Sequence, residues 1–246
     1  MKKNLGYDNI YGYSPLENVD VKKMSNAILN NKKIIEKHIS INTNSDSVIM
    51  VAGAGNGQEA VLVRKYFNLK TIGVDINIDL SVLPEIDDLK FEKQNLMNLD
   101  FKDNSFSIIY CNHVLEHVED HIKVLSELSR VLQTKGILFI GFPNRRRLFG
   151  YVGASQKLSK FDIIIWNIND YKFRFKGKFR NQYGAHAGFT QKEFFEDAKK
   201  YFSKIISVRN EYMELKYPKY KVGLKLFKFL KIDEFIFPSN YFICIK

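Results

Sequence analysis

Apolar residues fall along the chain in two rhythms, and the alternation between them predicts the fold. Short runs at Val48 to Val51, Thr71 to Val74, Ser105 to Cys111 and Ile137 to Phe142 have the length and composition of strands covered on both faces. Leu89 to Lys93 is a further strand candidate. Between these runs the period lengthens to that of a helix. Val21, Met24, Ile28, Ile35 and Ile39 recur at helical intervals behind Asp20, a suitable N-cap, and this helix is expected to pack on the sheet edge and close over a ligand. A second helix runs to about Phe67, and residues 78–87 form a short helical stretch. Val114 to Gln133 reads as one long amphipathic helix with Val118, Ile122, Leu125, Leu128 and Leu132 on its apolar face, stopped by Gly136. Strands alternating with helices predict an α/β fold around a mostly parallel sheet.

After Asn144 the rhythm is less regular. Tyr171 to Arg180 alternates, which would place Phe173 and Phe175 on one face of a strand and Lys172, Arg174 and Lys176 on the other. Thr190 and Glu193 form a capping box that opens a helix to about Phe202. Residues 205–215 and 240–246 read as closing antiparallel strands, and LKLFKFLK at 224–231 reads as a core-facing helix or as an amphipathic segment resting on an anionic membrane. With no internal repeat or linker, one domain spans 1–246. It comprises a cap over 1–45 with an irregular lead-in, a ligand-binding core over 46–144, a basic lid over 145–204 and closing strands over 205–246.

The chemistry begins at Gly53-Ala54-Gly55-Asn56-Gly57, between the first strand and the second helix. Glycine at alternate positions lets a ligand approach the main chain, and the N–H groups of the helix start face whatever lies over the turn. Asp75 ends the second strand, where a carboxylate accepts hydrogen bonds from ribose hydroxyls, so the ligand is a nucleoside. Gln58 stands where a dinucleotide fingerprint needs its third glycine, and no phosphate-loop motif occurs, so nicotinamide and ATP chemistry are disfavoured.

With GAGNG at 53–57, Val74-Asp75, FKDNSFSIIYCNHVLEHVED at 101–120 and LSRVLQTKGILFIGFPN at 128–144, the chain resembles the class I S-adenosylmethionine-dependent methyltransferases. The resemblance implies a Rossmann-like seven-stranded sheet, mostly parallel with an antiparallel last strand and helices on both faces. It also implies that Gly53, Ala54, Gly55 and Gly57 admit the methionine end of the cofactor and that Asp75 holds its ribose. Ile76 and Leu96 would sandwich the adenine, Asn95 would contact its edge, and Asn112 would lie beside the methionine portion. One departure is Val51, where the family usually carries an acidic residue.

Ligands of open α/β sheets bind at the carboxyl ends of strands, which directs attention to the segment after Cys111. On a helix starting near His113, the residues His113, Glu116 and His117 would share one face. An acid-histidine pair lines the acceptor pocket in many family members, so His117 is the first choice as general base. Alternatively, Glu116 and His117 only cap and buttress the helix. Relatives with ExxEH at this place bind a divalent cation, and the small-RNA 2′-O-methyltransferases draw a further histidine from a later loop, which His186 resembles. His113, Glu116, His117 and His186 would therefore form a metal site, and that donor set favours Zn, Mn or Fe over Mg. His38 and His121 lie on expected helix surfaces and are given no role.

Composition narrows the setting. The 246 residues carry a formal charge of +11, and only two cysteines, Cys111 and Cys244, which make no disulfide framework or zinc spacing. No signal peptide and no run of membrane-spanning length is evident, so a cytoplasmic protein is expected. Residues 145–246 hold 22 Lys and Arg against 9 Asp and Glu, whereas residues 1–144 hold 16 against 18. A basic lid suits an anionic acceptor, although a lysine-rich surface from an AT-biased genome fits equally. The leading expectation is O-methylation of a sugar or sugar-nucleotide hydroxyl for surface polysaccharide. RNA 2′-O-methylation, methylation of another small molecule and a non-catalytic cofactor-binding scaffold are the alternatives.

Overall fold

The computed structural model describes residues 20–38, 47–151 and 158–246, so the lead-in expected over 1–20 lies, except for Asp20, outside the described residues. The strands are β1 Val48–Ala52, β2 Lys70–Asp75, β3 Leu89–Lys93, β4 Phe106–Asn112, β5 Leu132–Pro143, β6 Lys204–Ser207 and β7 Ser239–Ile245. They form one seven-stranded sheet in the order β3-β2-β1-β4-β5-β7-β6. The first five are parallel, and β7 enters antiparallel between β5 and β6. Sequence order reverses at β1, which pairs with β2 on one side and β4 on the other. This switch point opens a crevice outside the carboxyl ends of β1 and β4.

The central strands serve two cores, as the period of two requires. Met50 and Ala52 of β1 pack with Cys111, Ile140, Leu125, Leu128 and Phe194 on one face. Ile49 and Val51 pack with Tyr110, Phe139, Ile28, Ile35, Ala60 and Val63 on the other. The helices are α1 Val21–His38, α2 Gln58–Phe67, α3 His121–Val131, α4 Lys160–Phe175, α5 Gln191–Ala198, α6 Arg209–Lys216, α7 Lys221–Phe229 and α8 Asp233–Ile236. Among the described residues no helix is long and apolar enough to cross a membrane.

Several expectations are corrected. Helix α1 begins behind Asp20, whose Oδ1 accepts from the Lys23 N–H at 3.0 Å, but it lies on a sheet face rather than an edge. Its Ile28 and Ile35 are fully buried, and Asn31 Nδ2 donates to the Tyr110 hydroxyl at 2.7 Å. The long helix expected from Val114 starts only at His121 and ends at Val131, and β5 begins at once with Leu132, so Gly136 lies within a strand. Asp120 sets the start: its Oδ1 accepts from the Ile122 and Lys123 N–H groups, both at 3.0 Å. A bulge follows in β5, where Phe106 pairs with Leu132 but Ile108 pairs with Ile137.

Tyr171 to Phe175 is helical, not a strand. A capping box, in which Ser159 Oγ accepts from the Asp162 N–H and Asp162 from the Ser159 N–H, starts α4, and Phe161, Ile164, Ile165 and Ile168 carry the helical period into the alternating stretch. The strand expected over 205–215 stops at Ser207, because the buried Arg209 guanidinium, bonded to Asp233 and Asn240, turns the chain into α6. The segment over 78–87 holds only a 3-10 turn at Leu80–Val82, and the Thr190 helix ends at Ala198. Asp120→Ala is expected to lower stability by about 1 kcal/mol, the scale of a lost N-cap, as a reduced urea midpoint at unchanged slope.

Candidate active site

The glycine turn joins β1 to α2 over the switch point. Gly53 and Gly55 both have positive φ, 74° and 51°, but for different reasons. A Cβ on Gly53 would stand 2.2 Å from Cγ2 of Val114, so this glycine lets the chain after β4 press against the turn. A Cβ on Gly55 would meet nothing within 4 Å, so the backbone there faces open space in which a ligand can lie. Asp75 sits beside it: Oδ2 accepts from the Gly55 N–H at 3.0 Å and Oδ1 from the Asn77 N–H at 2.9 Å. A carboxylate has about four acceptor positions, so these bonds fix Asp75 while leaving capacity for hydroxyl donors.

The other expected cofactor residues are distributed unevenly. Ile76 is 53% exposed next to Asp75, whereas Leu96 is buried in the core with Met50 and Val74. Asn95 Oδ1 accepts from the Met97 N–H at 2.9 Å, within its own turn. Asn112, at the tip of β4, donates from Nδ2 to Glu59 Oε1 at 3.1 Å, and its Oδ1 is buried without a hydrogen-bond partner. Glu59 lies in the first turn of α2, and burial pushes its carboxyl up to about 7. Gln58 Oε1, one residue earlier, is also a buried acceptor without a partner. The start of α2 and the tip of β4 thus gather three acceptors suited to a group rich in N–H donors. Open space over Gly55 and the two unfilled amide oxygens, of Gln58 and Asn112, fit a nucleoside carrying an amino group.

His113, Glu116 and His117 lie on a turn rather than a helix. His113 has φ 56°, and the His117 N–H donates to the Val114 carbonyl at 2.9 Å. The turn still brings the three side chains together. His113 Nδ1 is 3.3 Å and His117 Nε2 3.9 Å from Glu116 Oε1. The His186 ring stands edge-on to that of His117, with centroids 4.3 Å apart. One donor atom from each of Glu116, His117 and His186 falls within 4.8 Å of the others, which is compact enough for one cation. His113 is not in that trio and instead bonds to the carboxylate of Glu116. Burial opposes ionisation of Glu116, but the bond from His113 and the charges of the histidines hold its carboxyl below its ordinary value. Its Oε2 is buried without a hydrogen-bond partner. Burial pushes His186 down to about 3, so its ring is neutral near pH 7 and able to ligate a cation. His38 and His121 pair with Glu211 and Asp197 away from this group.

His186 reaches the site on a clamped loop. Gly188 has φ 68°, and a Cβ there would stand 1.8 Å from the Pro143 carbonyl oxygen, so the loop lies directly on the end of β5. Arg147 fixes it from below. Its guanidinium donates to Asp170 Oδ2 at 2.8 Å and to the carbonyls of His186, Ala187 and Asn144 at 2.8, 3.3 and 3.2 Å. Arg145 adds bonds to the Gly188 carbonyl at 2.7 and 3.1 Å. Nothing in the residue pattern marks Arg147, Asp170 or Glu59 as site residues, because each acts through a partner distant in sequence. An acid at an apolar helix position, as at Asp170, is the one available signal.

Residues 50–140 match the family profile described as "Methyltransferase domain". In this stretch, from β1 to β5, the chain is similar to the class I S-adenosylmethionine-dependent methyltransferases. It is 33% identical over 103 residues to an uncharacterized protein of Methanocaldococcus jannaschii, covering 42% of this chain and 44% of that one. It is 27% identical over 144 residues to the ubiquinone/menaquinone biosynthesis C-methyltransferase UbiE of Campylobacter jejuni, covering 54% of this chain and 60% of the relative. The chain thus spans about half the length of the curated relatives it matches. In fold it is similar to phosphoethanolamine N-methyltransferase 2 of Haemonchus contortus, solved with phosphomonomethylethanolamine and S-adenosylhomocysteine. The TM-score is 0.58 at 17% identity, covering 100% of this chain and 60% of that one.

Two outcomes follow for this site. The folded Glu59 carboxyl keeps its proton up to about pH 7, while an unfolded one loses it near 4.5, so the stability tied to the neutral form is complete below 4.5 and is lost as pH rises through 7. Thermal midpoints without cofactor should therefore fall between pH 5 and 8 in the wild type and stay flatter in Glu59→Gln. Arg147→Met, which leaves Asp170 buried without its cation, should cost about 3–5 kcal/mol in denaturant unfolding, and Arg147→Met with Asp170→Leu much less.

Proposed function

We propose that the chain transfers a methyl group from S-adenosylmethionine to a hydroxyl oxygen of an anionic, sugar-bearing small molecule of the kind used in surface polysaccharide. The observation that carries this reading is the contact of Val114 with Gly53, which sets the histidine turn against the glycine turn. The cofactor supplies a methyl carbon on a positively charged sulfur. Asp75 accepts from its ribose, Gly55 leaves room for its chain, and Ile76, Asn95 and Leu96 bound its adenine. Asn112 and Glu59 receive the amino end. Glu59 supplies the carboxylate that Val51, fully buried against α1, cannot.

His117, half exposed beside His186, takes the proton from the acceptor hydroxyl as the oxygen bonds to the methyl carbon and the carbon–sulfur bond breaks. Glu116, itself held by the bond from His113, orients His117 and stabilises its charged form. With His117 serving as a ligand instead of a base, the same Glu116, His117 and His186 would hold a divalent metal of the zinc, manganese or iron type, which would lower the pKa of a bound hydroxyl. The basic segment over 145–204, carrying the clamped His186 loop, forms the acceptor lid. An RNA acceptor has less support, since the aromatic and basic residues that would stack on bases and pair with phosphates sit on a helix and not on a strand.

Calorimetric titration with S-adenosylhomocysteine should give micromolar binding that Asp75→Ala weakens by about 1.5–3 kcal/mol, the scale of a hydrogen bond to a charged group. Absence of heat and of thermal stabilisation would leave the scaffold reading. Manganese or zinc should raise the thermal midpoint of the wild type and not that of His186→Ala, and equal shifts would remove the metal.

A further inference from the structure

Helix α4 carries an outward apolar stripe. On its inward side Asp170 reaches Arg147 and Tyr151, Asn167 reaches Gly150, and Arg174 reaches the carbonyls of Arg145 and Arg147, with Trp166 against Tyr151 and Phe173 against the Phe179 cluster. Outward, Phe161 is 69% and Phe175 89% exposed, with Ile164, Ile165 and Ile168 exposed between them. Positions 161, 164, 165, 168 and 175 make one stripe along the helix, joined by exposed Lys172, and Lys160 stands exposed at its start.

Helix α7 has a related design. Leu224 and Phe227 face the protein, while Val222 at 84% and Phe229 at 82% exposure form an outward row with Leu226. Lys221, Lys225 and Lys228, at the same spacing and one residue earlier, make a parallel exposed row. The two helices hang from one corner. The Leu148 N–H donates to the Phe235 carbonyl of α8 at 2.7 Å, and the Tyr171 hydroxyl of α4 donates to the Leu148 carbonyl at 2.9 Å. Exposed Leu148, Phe149, Ile232 and Ile236 lie along that junction. The corner follows the carboxyl end of β5, where the His186 loop also rests.

We propose that this face docks on an anionic lipid bilayer. Apolar rows set beside lysine rows place side chains among acyl chains and ammonium groups among lipid headgroups. Neither outward face carries an acid, since Asp162 is engaged in the Ser159 capping box and Asp170 is buried. Residues 145–246 as a whole hold 22 Lys and Arg against 9 Asp and Glu. That charge favours a negative surface and opposes a second copy of the same face, whose lysine rows would repel. Docking would set the candidate acceptor lid against the headgroup layer, where an anionic acceptor attached to a lipid is presented. The docking itself is independent of methyl transfer.

The test is co-sedimentation of the full chain with phosphatidylcholine vesicles with and without phosphatidylglycerol. The wild type should pellet only with phosphatidylglycerol, less as salt rises, while Phe161→Ser with Phe229→Ser should lose about tenfold or more in binding. Lys225→Glu with Lys228→Glu should lose the dependence on phosphatidylglycerol. All these residues are exposed, so unchanged urea midpoints and unchanged S-adenosylhomocysteine titrations identify the loss as one of docking alone. Absence of wild-type pelleting at low salt, pelleting unchanged by both double variants, or a solution dimer that the phenylalanine variant dissociates would each overturn the proposal.

Discussion

The half of the protein beyond β5 is organised around the need to keep one buried cation paired. Arg147 lies almost wholly out of water, where an unpaired guanidinium would cost several kcal/mol, so the surrounding chain turns its acceptors toward it. Asp170 comes from α4, and the carbonyls of Asn144, Ala187 and His186 come from the strand end and the loop. Satisfying that charge fixes His186 beside His117. It also rotates α4 so that the Asp170 side faces inward and the apolar stripe outward. The clamp on the loop and the unusual outer surface are two results of the same constraint.

The opposite half obeys the more familiar demand that a parallel sheet be covered on both faces. Because that demand is written in short apolar runs, β1 to β4 and the glycine turn were legible from sequence almost residue by residue. The parallel order also placed the glycine turn, Asp75 and the segment after β4 at one crevice. Where local pattern misled, a side chain with a distant partner had changed the outcome. Asp120 holds the start of α3 back to His121, and the capping box of Ser159 with Asp162 makes a helix of residues whose alternation imitates a strand. Buried Arg209, paired with Asp233, ends β6 early.

The candidate site was legible for a partly different reason from the one the spacing suggested. His113, Glu116 and His117 were expected to converge as neighbours on a helical face, and they converge on a turn, because residues three and four apart approach one another in either conformation. Glu59 was not legible. Its meaning depends on Asn112, which is far along the chain and adjacent only once β4 lies beside β1. In the proposed reading, Glu59 takes the role sought for an acid at Val51, reaching the tip of β4 from α2.

The place of β7 bears on the order in which the protein can assemble during synthesis. Among the described residues β6 pairs only with β7, and β7 also helps to hold the histidine loop: Asn240 within it donates to the Phe189 carbonyl, and Asn144 donates to that of Phe237 just before it. The five parallel strands and the glycine turn can pair while the chain is still emerging, but the histidine loop has no complete footing until β7 slides between β5 and β6. A ribosome-bound intermediate would therefore have its nucleoside crevice formed and its acceptor side open, and the transfer site would close only at the final strand insertion.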